Sequence, residues 1–405
     1  MADQPRSFFR WREIPRSVWA LGLVSLFMDV SSEMIHALLP LYLVTVLGTS
    51  TLTVGIIEGI AEATASITKI FSGALSDYLG RRKWLAALGY GLAAFTKPIF
   101  PLAPDILWLT AARFVDRVGK GIRGAPRDAL IADLTPKGLR GNAFGLRQSL
   151  DTIGAVLGPL LAIVCMAAFA NDFTSVFWIA VIPAFVSVAI IVFGVHEPKR
   201  PPGLRTVRAP FSRTELARLN TNYWLVVGVA AIFTLARFSE AFLLLRAQSV
   251  GLPLAIVPAV MIVMNIVYTL SAWPAGALSD QIGRYGLLTI GFTLLILADL
   301  VLALGGSVST VLVGVALWGL HMGLTQGLLA ALVADTAPEE LRGTAFGVFN
   351  LVSGIATLAA SIVAGALWDG IGPDGTFLAG ALFTAVALAA LPLARRKAAA
   401  ITSPR

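Results

Sequence analysis

The sequence predicts an all-α membrane protein in which twelve transmembrane helices form two pseudo-symmetric six-helix bundles. Three observations carry that expectation. Of 405 residues, 57% are apolar and only 13% charged, about half the charge of a soluble globular protein. Long apolar stretches recur from Ser17 almost to the C-terminus, and each can cross a hydrocarbon layer of about 30 Å in about 20 residues. Basic residues alternate between successive loops. Residues 1–17, 78–84, 134–142, 195–221, 281–285, 335–342 and 393–405 hold 21 of the 31 Lys and Arg, whereas the short loops between them hold none. That is the positive-inside pattern. It places both termini in the cytoplasm and the chain in the cell (inner) membrane, with the bilayer, not nucleic acid, as the partner of its +8 charge.

Taken in order, the apolar spans fall at 18–47, 51–76, 83–103, 105–127, 141–168 and 174–195, then at 222–248, 255–278, 285–304, 309–333, 343–368 and 376–394. The first is too long for a signal peptide and contains Asp29 and Glu33. The longest hydrophilic stretch, rich in Pro and Arg, divides the chain into an N-terminal bundle (1–195), a cytoplasmic linker (196–221) and a C-terminal bundle (222–405). Cys165 is the sole cysteine, so neither a disulfide framework nor a thiolate metal cluster is available.

The two halves repeat. Gly73-Ala-Leu-Ser-Asp77-Tyr-Leu-Gly80-Arg81 returns as Gly276-Ala-Leu-Ser-Asp280-Gln-Ile-Gly283-Arg284, an offset of 203. Ala132-Asp133 through Arg140 to Gly145 returns as Ala334-Asp335 through Arg342 to Gly347, an offset of 202. Parallel repeats about an axis along the membrane normal are a transporter architecture, with substrate held near the midplane.

At these residues the chain resembles the major facilitator superfamily. Gly73, Asp77, Gly80, Arg81 and Arg82 match its loop motif between helices two and three. Arg113 with Gly119 and Gly121 resembles its fourth-helix motif, and Gly154-x-x-x-Gly158-Pro159 the fifth-helix motif of antiporters. The resemblance implies a gate in which Asp77 caps the N-terminus of helix eleven at Gly343–Phe346, while Arg81 pairs with Asp133 or Asp128. Asp280 and Arg284 form a degenerate second copy, because Tyr285 replaces the second basic residue. The stretch Gly119-Lys-Gly121-Ile-Arg-Gly124 fits a dinucleotide fingerprint, yet no strand precedes it. Its glycines are expected to permit close helix packing.

Ionisable side chains at bilayer depth are costly, so they mark function or partners. They crowd onto helices one, two, four, five and seven: Asp29, Glu33 and His36; Glu58 and Glu62; Arg113; Arg147 and Asp151; Arg237 and Glu240. Helices three, six, nine and twelve, nearly free of charge, are expected to face lipid. Spacings of four put Asp29 with Glu33, Glu58 with Glu62, and Arg147 with Asp151 on shared faces. A carboxylate that alternately meets a guanidinium group and water is what proton coupling needs. The resemblance to proton-coupled exporters points to Asp29 or Glu33 with Arg113. Asn265, Tyr268, Trp318, His321, Gln326 and Asn350 are candidates to complete a mixed pocket with His36.

The expectation is a secondary active transporter working by alternating access, a proton-coupled antiporter for efflux of a small organic compound. It would act as a monomer, with the proton as coupling ion and no other cofactor or metal. A proton-coupled importer of a metabolite or chelated metal, or a non-transporting membrane sensor, is the alternative. No nucleophile set, metal cluster or nucleotide motif suggests an enzyme.

Overall fold

Helix formation follows the apolar runs, and the polar residues between them terminate it. The computed structural model describes residues 13–79, 81–197, 216–325, 327–338 and 341–402. Its membrane-length elements are α1 (Arg16–Thr45), α2 (Thr51–Leu79), α3 (Arg82–Leu102), α4 (Ile106–Leu134), α5 (Arg140–Ala168), α6 (Phe173–Gly194), α7 (Thr221–Ser249), α8 and α9 (together Ala259–Leu304), α10 (Val308–Thr336), α11 (Arg342–Gly370) and α12 (Pro373–Pro392). Gly283, at φ 73° and ψ 160°, separates α8 from α9. Among the described residues, nine of these are long and apolar enough to cross a membrane. The others are α2, α4 and the part before Gly283. α2 and α4 carry the charges of the central site.

Asp105, Asp172 and Asn220 cap α4, α6 and α7 by accepting from backbone amides in the first turn. Several helices are interrupted. α1 breaks at Ala37–Leu38, α10 at the left-handed Gly327 (φ 83°), and α7 between Ala236 and Ala241. Backbone freed this way at bilayer depth is tolerated where it is buried in protein or borders a cavity.

Large apolar side chains stand outward, as with Phe95, Ile182, Leu297 and Leu382 on α3, α6, α9 and α12. A soluble protein could not expose so much. On their inward sides α3 buries Lys97 and α9 buries Asp299.

The repeat also governs the packing. Gly121 presses on Thr68 and Ala65, and Gly323 on Ser271 and Tyr268. These contacts match at offset 203 for α2 and α8 and at 202 for α4 and α10. Arg82 Nη1 donates to Asp133 Oδ2 (2.7 Å) and to the carbonyl of Ala129 (3.0 Å). Arg284 Nη1 likewise donates to Asp335 and to the carbonyl of Ala331. Two expectations are thereby corrected. The partner of Asp133 is Arg82, not Arg81, which occupies the N-cap of the helix that starts at Arg82. The second copy also keeps this pair despite Tyr285, because its loop is one residue shorter and Arg284 answers to Arg82. Gly80 and the side chains of Asp77 and Asp280 lie outside what is described. The expected contact of Asp77 with Gly343–Phe346 therefore also lies outside what is described.

A central charged cavity between the halves

α4 supplies the backbone of the site. Arg113, Arg117, Lys120, Arg123 and Arg127 follow one another at three or four residues, a single helical face. α2 and α1 bring carboxylates against it. Arg113 clamps Glu58 with two hydrogen bonds, Nε to Oε1 (3.1 Å) and Nη2 to Oε2 (2.7 Å), and both side chains are buried. Such a bidentate pair is the strong form of this contact. Arg117 Nη1 stands 3.2 Å from Glu62 Oε1. Asp29 has Arg123 at 3.8 Å, and Arg147 pairs with Asp151. Lys97 Nζ donates to Asp116 Oδ1 (2.9 Å) and Ser32 Oγ (3.1 Å) in the core of the first half.

His36 connects two layers of this network. Its Nδ1 lies 3.4 Å from Glu33 Oε2 and its Nε2 lies 3.6 Å from Glu58 Oε2. Glu33 faces a cavity, whereas Glu58 is sealed behind it against Arg113. A single imidazole therefore spans the step from the cavity to the buried pair.

α5 fixes the position of the two α1 carboxylates. A Cβ on Gly154 would stand 3.0 Å from the Cβ of Asp29, and one on Gly158 would stand 2.6 Å from the Cβ of Glu33 and 2.9 Å from the carbonyl of Val30. Gly158→Ala is accordingly expected to push α5 off α1 and destabilise the protein by about 1–3 kcal/mol. Thermal unfolding in detergent would check this, and an unchanged midpoint would contradict the close packing.

Two adjoining cavities separate the halves, of about 380 and 520 Å³. They share Glu33, Glu62, Lys120, Ala155 and Asn265. The smaller adds His36, Arg117 and, from the second half, Arg237, Phe238, Glu240, Met261 and Trp318. The larger adds Asp29, Lys69, Arg123, Arg127, Asp128, Arg147, Asp151 and Tyr268, and so runs toward the face of the bundle that carries the termini.

The opposite face is shut. Asp369 at the end of α11 accepts from the amides of Thr51 (3.1 Å) and Leu52 (2.9 Å) and from the Thr51 hydroxyl, capping α2 across the two halves. Behind it Gly55 abuts the carbonyl of Ser361, Gly59 abuts Leu358, and Gly365 abuts Thr51 and Leu52. Asn265 Nδ2 donates to the carbonyl of Ala155 (3.3 Å), a second link between halves.

The second half answers the first with apolar groups. At the offsets above, Met261 and Val315 stand where the first half has Glu58 and Arg113, and Asn265 and Gly319 where it has Glu62 and Arg117. Trp318 packs with Phe238 (5.4 Å between centroids), and Phe238 with Phe377 (5.5 Å). Asp299 replaces Lys97, and neither of its oxygens has a hydrogen-bond partner among the described residues.

The predicted residues thus separate into groups. Asp29, Glu33, Glu62, Arg147, Asp151, Arg237, Glu240, His36, Asn265, Tyr268 and Trp318 line the cavities. Glu58 and Arg113 sit behind them, and the expected pairing of Arg113 with Asp29 or Glu33 is replaced by Arg113 with Glu58. His321 is buried beside Trp318 (5.8 Å), and neither it nor Asn350 lines either cavity. Gln326 lies outside the described residues. Sequence reasoning missed Lys120 and Arg123, although both stand within the Gly119–Gly124 stretch. The packing expected of its glycines holds at Gly119 and Gly121, where a Cβ would stand 2.6 Å from the carbonyl of Gly89 and 2.5 Å from the Cβ of Thr68, but Gly124 has nothing among the described residues within 4 Å.

Comparison with known proteins places this arrangement. The family model described as Major Facilitator Superfamily matches residues 21–361 and 241–404. An uncharacterized transporter of that type from Methanocaldococcus jannaschii is 35% identical over 383 residues, covering 93% of this chain and 94% of the relative. An inner membrane transport protein of Escherichia coli is 25% identical over 92% of this chain and 81% of its own length. Among solved structures, a nucleoside transporter variant superposes with a TM-score of 0.78 at 15% identity, covering 93% of this chain and 99% of that one. A bacterial homologue of a lysosomal transporter, in an inward-facing state, gives 0.72 at 15% over 94% and 96%. At such identities the structural matches speak for the fold alone.

Proposed function

Since the chain belongs to the major facilitator superfamily, we propose that this integral membrane protein exports a small organic compound in exchange for protons, by alternating access between its two bundles (1–195 and 222–405). The observation that carries the coupling is the chain from Glu33 through His36 to Glu58 and Arg113, which joins a cavity carboxylate to a buried ion pair. An imidazole can carry a proton on either ring nitrogen, so a proton arriving at Glu33 has a neighbour able to accept it. Withdrawing His36 toward either carboxylate alters the field on Arg113. Asp29, with Arg123 at 3.8 Å, is a second proton acceptor on the cavity wall.

In this reading the face with the termini is cytoplasmic, as the loop charges indicate, and the conformation is inward-facing. Each charge crossing about 100 mV gains roughly 2.3 kcal/mol, about a 50-fold gradient. No catalytic chemistry is assigned, and the relatives are transporters.

The test is pH-gradient dissipation in everted vesicles, with organic cations, organic anions and chelated metals added in turn. A compound that collapses the gradient with the parent, and at least about tenfold less with Asp29→Asn/Glu33→Gln, supports proton-coupled export. Gradient build-up in the opposite sense would establish the importer. Ligand binding without any flux would leave a sensor.

A further inference from the structure

We infer that the central cavity recognises an organic anion, gripped between Lys120 of α4 and Arg237 in the break of α7. This rests on the transport reading for its biological sense, but the site itself stands on the charges that line one space.

Most charges there are already matched. Glu62 is paired with Arg117, Asp151 with Arg147 and Asp128 with Arg127, and Glu33 stands 3.4 Å from the His36 imidazole. Asp29 faces Arg123. Lys120 and Arg237 have no carboxylate within 4 Å among the described residues. Lys120 is exposed to both cavities, while Arg237 lies over the Phe233 ring, 5.8 Å from its guanidinium carbon. They project from opposite halves into the smaller cavity. The carboxylates there are Glu62, paired with Arg117, Glu33, beside His36, and Glu240, so Lys120 and Arg237 are the two cations of the cavity with no carboxylate at salt-bridge distance among the described residues, and an anion held between them would supply one. A cationic ligand at Glu240 would have to settle beside Arg237.

The same cavity dictates the rest of the ligand. Its wall on the second half is Phe238, Met261 and Trp318, which suits an aromatic or branched apolar body. The two cations reach the anion from different bundles, so a bound anion would tie the halves together. The N-terminal half holds its own ion pairs and supplies Lys120 as the one free partner on α4 among the described residues. The unwound backbone around Arg237 places the other cation at the level of the cavity, not on a helix face.

Binding of 2-naphthalenesulfonate and 2-naphthoate to the full chain in lipid nanodiscs, followed by isothermal titration calorimetry, tests this. The matched cation is (2-naphthylmethyl)trimethylammonium. Both anions should bind saturably, and tighter than the cation. Lys120→Gln and Arg237→Gln should each weaken them about tenfold or more, as loss of a charged hydrogen bond does. Lys120→Arg should retain binding, and Glu240→Gln should leave it intact or tighten it. An unchanged thermal midpoint of the Gln variants separates lost binding from lost folding. If one of them unfolds, the comparison of Lys120→Arg with Lys120→Ala decides in its place.

Tighter binding of the cation, parent-like anion binding by both Gln variants, or no saturable binding of either anion would overturn the inference. Anion binding without gradient collapse in vesicles would instead sink the proton-coupled reading and leave the anion site standing. Gradient collapse by the cation alone would do the reverse.

Discussion

Arg113→Ala is expected to cost about 3–5 kcal/mol of stability, because it strands the Glu58 carboxylate where nothing can hydrate it. Glu58 has no solvent exposure, and both of its oxygens accept from Arg113 at 3.1 and 2.7 Å. His36, at 3.6 Å, is too distant to take over both roles. The more telling variant removes both partners. Arg113→Val/Glu58→Met copies what the protein itself uses at the equivalent places, Val315 and Met261, each of them buried. Replacing a buried pair with well-packed apolar groups is often neutral or better, so the double variant should recover most of the lost stability. Thermal unfolding in detergent checks both. A double variant as unstable as Arg113→Ala would mean that the pair holds the helices in register and is not exchangeable for packing. If the relay through His36 is correct, the recovered protein should still bind ligand but no longer couple its movement to protons.

Asp369→Ala is expected to unlock the face opposite the termini. Three hydrogen bonds to the start of α2 end on this carboxylate, which also faces the positive end of that helix dipole. Losing charge-assisted bonds of this kind costs about 2–3 kcal/mol, and the loss falls only on the conformation that makes them. The balance between closed and open forms of that face should shift by about 30-fold or more. Distances between spin labels at Val46→Cys and Ile371→Cys would report it, in a Cys165→Ser background that leaves no other thiol. Both positions are exposed on that face and belong to opposite halves. A distance distribution unchanged by Asp369→Ala would show that the glycine contacts of α2 with α11 hold the face without the cap.

What the sequence made legible was set by the bilayer. Apolar length, loop charge and the repeat each follow from the need to satisfy backbone and side chains against lipid, and they gave the helices, their grouping and the crowding of charge near midspan. The partners within that crowd were not legible. A spacing of four places Asp29 and Glu33 on one face, but the direction of that face depends on how α1 turns against α5, and that is decided by Gly154 and Gly158 meeting it at backbone distance. The slip between Arg81 and Arg82 has a similar origin, because one extra residue in a loop moves a guanidinium by a third of a helical turn. The break in α7 left no Gly or Pro to announce it, since Arg237-Phe-Ser-Glu240 reads as ordinary helix. The cationic stripe of α4 was present in the spacing. It went unread because its middle overlaps a glycine pattern with a sufficient explanation of its own.

The glycine-packed crossing of α2 and α11 has a mechanical consequence. Each helix has 29 residues, so each is a rod of about 43 Å at 1.5 Å per residue. Their tightest contact, around Gly55 and Ser361, lies much nearer the capped end: from Gly55 it is about 6 Å along α2 to Thr51 and about 36 Å to Leu79. Rods pivoting there form an unequal lever. A movement of about 1 Å at Asp369, enough to rupture its hydrogen bonds, becomes about 6 Å at the far end of α2. The short arm therefore carries the bonds that decide when the molecule turns, and the long arm carries most of the travel.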